Sequence, residues 1–235
     1  MDRQLKKVVK NDEFKEQVWH GIDFVKHHTD DAKKYGGIAL AVLLVAGGTY
    51  WFIHHQADVR EEALAQALKI NDATVGPDRQ AANLYYTTQA EKDQATQKAF
   101  SEVAAKYHGT IEGAIAEMNL GQEAVDRGDL ASAEKYLKDV VDSAPAAYAS
   151  QSALTLAQLY RDEGKTADAE KILNNLIKNP SITVSKEEAQ LALAKVKAKT
   201  DPDGARKILE SLRTERSAIS KAAMNALGEL AGQTN

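Results

Sequence analysis

The stretch Tyr35–Ile53, YGGIALAVLLVAGGTYWFI, is 19 residues long and carries no charge, and it limits what the rest of the chain can be. A helix rises about 1.5 Å per residue, so the run covers roughly 28 Å, close to the thickness of a bilayer's hydrocarbon core. Tyr35 stands at one end and Tyr50, Trp51 and Phe52 at the other. Aromatic rings favour the lipid–water boundary there. Gly36, Gly37, Gly47 and Gly48 would weaken a helix in water. In lipid they are tolerated, because a backbone group that leaves the helix finds no other partner. The run predicts one transmembrane helix over 35–53, with a head of residues 1–34 before it and a tail of residues 54–235 after it. A buried core helix of this kind would be long for a 235-residue soluble chain. A cleaved signal peptide would have a shorter apolar core, a brief positive leader in place of 34 residues, and a clear A-x-A site.

Lysine and arginine set orientation. Lys26, Lys33 and Lys34 precede the run, and only Arg60 and Lys69 fall in the twenty residues after it. This bias predicts a cytoplasmic head and a tail across the membrane. Residues 1–34 carry eight Lys/Arg and seven Asp/Glu, and residues 56–235 carry 22 and 27. A tail with this acidic balance gives no electrostatic reason to expect nucleic acid. The absence of cysteine excludes disulfides and thiolate metal centres, and suits either side of a membrane. Abundant alanine with four prolines favours helix over sheet.

In the head, Leu5, Val8 and Val9, then Phe14, Val18, Ile22 and Val25, recur at steps of three and four, the pattern of one or two amphipathic helices. Such a helix serves equally to lie on the membrane or to meet a partner's helix. His20, His27 and His28 fall within nine residues, but no carboxylate–histidine signature accompanies them, so they read as a surface cluster. Residues 57–70 form a helical stripe through Val59, Ala63, Ala67 and Ile70, which can continue the membrane helix. Asn71–Pro77 breaks it. A second helical pattern follows Asp78 with Ala82, Leu84, Tyr85 and Tyr86. A third spans Ala95–Tyr107, with Ala99, Phe100, Val103 and Ala104 inward.

Beyond His108 the chain repeats. Ala133-Glu-Lys-Tyr-Leu137, Ala169-Glu-Lys-Ile-Leu173 and Ala205-Arg-Lys-Ile-Leu209 lie 36 residues apart, with Gly128 and Gly164 at matching offsets and Pro145 and Pro180 at nearly matching ones. A period in the thirties marks stacked supersecondary units. Each unit divides into a helix A, carrying Leu120, Gly121 and Ala124 or Leu156, Ala157 and Tyr160, and a helix B opened by the repeated alanine. These units, placed at 112–145, 148–180 and 185–217, resemble tetratricopeptide repeats. Leu156, Ala157, Tyr160, Gly164, Ala169 and Leu173 carry the family's pattern best. The third unit departs from it, with Leu193 at the small position and Asp201-Pro202 replacing the glycine turn. Residues 57–70 and 95–109 look like the two helices of a degenerate earlier unit, and 217–231 like a terminal capping helix. The fold class expected is all-α: an N-terminal amphipathic helix, a single transmembrane helix, then an α-solenoid of tetratricopeptide-like helix pairs.

The layout as a whole, a charged head containing Lys10-Asn-Asp-Glu-Phe14, one anchor and a degenerate repeat domain, is similar to the ancillary subunit family of the bacterial Sec translocon. That resemblance implies a single-pass protein of the bacterial inner membrane with a periplasmic tail. It implies translocon components, periplasmic chaperones or nascent chains as partners, besides the bilayer around the anchor. An oligomerising assembly or regulatory module of an envelope complex is the alternative.

No catalytic constellation assembles. Gly164-Lys165-Thr166 lacks the upstream glycine of a phosphate-binding loop, since Leu159 occupies that position. Ser132-Ala-Glu-Lys135 has no companion motif. The reading is a non-enzyme with no cofactor and no metal. Stacked helix pairs present a face lined by their A helices. By the resemblance that groove holds Met118 and Gln122 with Ile115 and Val125, then Gln151, Leu154, Gln158 and Arg161, then Glu187, Gln190 and Lys197. Amides would bond an extended backbone, and Met and Leu would meet apolar side chains.

Overall fold

The computed structural model describes residues 29–76, 84–214 and 219–233, and nearly all of them are helical. The helices expected over residues 1–28, with His20, His27 and His28, lie outside the described residues. The chain divides into two compact units, one ending at Asp58 and the other beginning at Val59.

Helix α1, Thr29–Asn71, holds the uncharged run. Every residue from Tyr35 to Ile53 is exposed; Leu43, Leu44 and Val45 are each 68–69% exposed. Among the described residues it is the one helix long and apolar enough to cross a membrane. His54 and His55 lie against Tyr50 and Trp51 one turn back, with ring centroids 4.4 and 5.3 Å apart.

In the second unit, the part of α1 from Val59 onward packs on α2, Gln89–Lys106. Leu64 and Ala67 share a core with Phe100, Val103, Ala104 and Tyr107. The helix expected from Asp78 through Tyr86 does not appear in its described part. Tyr85–Tyr86 is a short strand, β2, running parallel to β1, Thr74–Val75. The cause is local. Thr88 caps α2 by accepting from the Glu91 N–H at 3.2 Å, and the Glu91 carboxylate accepts from the Thr87 N–H at 3.2 Å. The helix therefore starts after the tyrosines.

Three helix pairs follow: α3, Ile111–Asp126, with α4, Leu130–Ser143; α5, Ala146–Asp162, with α6, Thr166–Lys178; and α7, Lys186–Lys197, with α8, Pro202–Thr214. A last helix, α9, Ile219–Gln233, packs on α8 and α7. Each helix packs on the next. In addition α3 meets α5, α5 meets α7 and α7 meets α9, so the first helices of successive pairs form one layer. The 36-residue repeat is the core pattern. Ala133, Ala169 and Ala205 have no exposed surface, and Leu137, Leu173 and Leu209 are no more than 2% exposed. A small residue at the first position lets the paired helix approach, and the leucine one turn later fills the space.

The first two pairs turn at Gly128 and Gly164, with φ of +75° and +76°. The Gly128 N–H donates to the Val125 carbonyl and the Asp129 N–H to the Ala124 carbonyl; Gly164 and Lys165 do the same with Arg161 and Tyr160. Both are Schellman closures, which need a left-handed residue at that point. The third pair turns differently. Asp201 caps α8 by accepting from the Gly204 N–H at 2.9 Å, with Pro202 at the first helical position. Its small-residue role also moves by one. Leu193 joins the core of the second pair, while Ala194, with no exposed surface, packs with Ala205, Leu209 and Leu212.

Candidate functional site

The layer of first helices leaves one stripe of each helix open. On α3 it holds Ile115, Met118, Asn119, Gln122 and Asp126. On α5 it holds Gln151, Thr155, Gln158 and Asp162, spaced four, three and four. Opposite this stripe Ala153, Ala157 and Tyr160 are buried toward the second layer. Between α3 and α5 lies a shallow cleft of about 320 Å³, walled by Met118, Gln122 and Val125 on one side and Gln151 and Thr155 on the other. Its floor is Leu137, seen past Gly121. A side chain at Gly121 would touch Leu137, so glycine there opens the cleft.

Met118, Gln122, Gln151 and Gln158 therefore share one open face. Leu154 does not: it is 8% exposed and belongs to the core with Leu156 and Leu193. Arg161 stands at the end of α5, its guanidinium 2.8 Å from the Asp162 carboxylate. Lys197 is turned to the second layer, bonding Asp201 at 3.0 Å and reaching Glu170 of α6 at 4.0 Å. Gln190 shares that side by helical spacing. Glu187 falls between the two faces. The one-residue shift at Ala194 explains this: the open stripe of α7 is Glu188, Ala192 and Lys195, continued by Lys199 in the turn after it, each one position beyond the plain 36-residue match to α5.

The face is quiet electrostatically. Asn119 donates to the Ile115 carbonyl at 2.7 Å and Gln122 to Asp126 at 2.9 Å, while Gln151 and Gln158 keep their amides free among the described residues. The strongest electrostatic network lies on the other side of the pairs. Glu134 accepts from Lys138, from Lys165 at 3.0 Å and from the Tyr160 hydroxyl at 3.0 Å. The hydrogen bonds from Lys138 and then Lys165 hold its carboxyl down at about 2. Burial pushes the Tyr160 phenol up. These groups tie α4 to the turn between α5 and α6 and are fully engaged with one another. Among the described residues no three His, Asp or Glu side chains gather as metal ligands would.

Residues 33–147 match the family model described as a tetratricopeptide repeat-like domain. The match runs from α1 through α4 and stops at the first two residues of α5, although the sequence period is clearest in the pair that α5 opens. No curated protein and no solved structure matches the chain. The chain carries a tetratricopeptide-like helix-pair fold, and domains of that kind typically serve as non-catalytic modules for holding other proteins.

Proposed function

We propose that this protein is a membrane-tethered interaction scaffold of the bacterial inner membrane, an ancillary translocon subunit that links protein export to periplasmic chaperones. In this reading α1 crosses the bilayer over 35–53, residues 1–34 face the cytoplasm and the helix pairs stand in the periplasm. The observation that supports it is the combination of two open surfaces in one chain: 19 uncharged residues exposed along α1, and an uncovered amide-lined face on the helix pairs. Bare apolar surface on that scale is costly in water and is stable in lipid. Met118, Gln122, Gln151 and Gln158 supply apolar contact and amide hydrogen bonds, which suits extended chains without demanding one sequence. Tethering keeps the local concentration of the face high, so weak contacts suffice.

A photo-crosslinking amino acid placed at Gln151 or Gln158 in cells tests the reading. The expected products are adducts with translocon components, periplasmic chaperones or nascent exported chains. Adducts with none of these, or a reporter fused after residue 60 that reads as cytoplasmic, would overturn it.

A further inference from the structure

We infer that the cleft at the C-terminal ends of α5, α7 and α9 selects acidic residues in an extended peptide partner; this rests on the scaffold reading above and gives the partner a chemistry. The cleft is about 560 Å³, larger than the one between α3 and α5. Its wall carries Lys195, in the last turn of α7, and Lys199, in the turn just after that helix, and its floor is Leu209, Ala226 and Leu230.

The two lysines differ from their basic neighbours. Arg161 is held by Asp162, and Lys197 by Asp201 and Glu170. Lys195 and Lys199 have no carboxylate or other side-chain partner among the described residues. The lining also holds Arg161 and Asp162, which pair with each other, and Glu229, which bonds neither lysine, so the two ammonium groups outnumber the one carboxylate left over. A surplus of ammonium beside an apolar floor fits a ligand with acidic side chains next to aliphatic ones. Charge along the chain points the same way. Residues 59–160 carry nine Lys/Arg against 15 Asp/Glu, whereas residues 161–235 carry 13 against 11. An acidic segment is repelled from the first half of this unit and drawn to the second.

The stripe Gln151, Thr155, Gln158, Asp162 leads from one cleft to the other along α5. The eleven helical steps from Gln151 to Asp162 cover roughly 16 Å, the length of about five residues of extended peptide at ~3.3 Å each. A bound segment can thus place its backbone against the free amides and its acids at Lys195 and Lys199. That continuity with an amide-lined stripe favours a peptide over a lipid headgroup.

The test uses the full chain in detergent micelles and a pair of fluorescent ten-residue peptides, one with two adjacent glutamates and the other with glutamines in their place. Fluorescence anisotropy is expected to show at least tenfold tighter binding of the glutamate peptide at low salt, with the preference shrinking at 0.5 M salt. In the double variant Lys195→Glu, Lys199→Glu the preference is expected to reverse, and Lys186→Glu is expected to keep it. Equal binding of the two peptides, or a double variant that keeps the preference and changes only the melting temperature, overturns the inference; the latter would leave the lysines to the carbonyl end of α7. Vesicles rich in phosphatidylglycerol that displace the glutamate peptide from wild type but not from the double variant would also overturn it, in favour of a lipid. Crosslinking at Gln151 separates the two readings: adducts that persist with acidic and neutral clients alike sink the selectivity and leave the scaffold standing.

Discussion

At the scale of single residues, Glu134 does more than a surface carboxylate usually does. Three donors converge on it, from α4 itself, from Tyr160 at the end of α5 and from Lys165 in the turn that follows. Lys165 also lies 5.1 Å from the Tyr160 ring centre, so ring, ammonium and carboxylate hold one another in place. Because these bonds depress the carboxyl from an ordinary 4.5 to about 2, the stability it contributes is fully present above pH 4.5 and is lost as pH falls toward 2. Glu134→Gln is therefore expected to lower the urea midpoint at pH 7 and to approach wild type as the measurement moves from pH 4.5 to pH 2. A midpoint difference that stays constant across that range would show that the carboxylate charge is irrelevant. Gly113 shows a different single-residue constraint. A Cβ there would collide with the Tyr107 carbonyl, so α3 starts directly against the end of α2. His108, between them, sits 3.0 Å from the buried Glu117 carboxylate.

At the scale of elements, α7 is where the repeat slips, and the slip decides which side chains face out. Ala194→Leu adds bulk to the contact with Ala205, Leu209 and Leu212, and overpacking of this kind costs about 1–3 kcal/mol. Leu193→Ala empties part of the neighbouring core and costs about 2–4 kcal/mol. Both substitutions are expected to lower the urea midpoint, whereas the plain 36-residue alignment, with Leu193 at the small position, predicts a mild effect for Leu193→Ala. Chemical denaturation of the two variants decides between the registers. Ala133, Ala169 and Ala205, with the leucines four residues on, were legible in the sequence because they recur at one spacing and are buried for one reason. The position of Lys197 was not, because the seven residues from Asn179 to Ser185 hide how the next helix is rotated. There Ser181, Thr183 and the buried Val184 pin the loop to Ser150 and Ala147 of α5. Leu84-Tyr85-Tyr86 does not declare its strand in the sequence, because three apolar residues in a row fit either period.

At the scale of the molecule, the helix pairs from Val59 onward hold together without help from the uncharged run. Their core is a chain of three clusters: one around Phe100 and Leu120, one around Leu156 and Leu173, and one around Leu209 and Leu230. None of them includes a residue from 35–53. Arg60 closes the near end by pairing with Glu112 at 3.2 Å, and α9 covers the far end with Ala223, Ala226 and Leu230 turned inward. A solenoid of this kind is stable as a sum of units and their neighbour contacts, so it tolerates loss of a segment that contributes to neither. A chain beginning at residue 57 is thus expected to be soluble, helical by circular dichroism and cooperative in urea, while the full chain requires detergent or lipid. Light scattering on the same fragment addresses its self-association. The outer side of α9 carries Met224, half exposed, with Gly228 and Gly232 beside it, a surface with little charge to oppose a second copy. A monomer at tens of micromolar is the outcome the scaffold reading requires, since a face meant for other proteins should stay open. A discrete, tight oligomer would turn the reading toward an assembly module, with α9 as the first place to substitute.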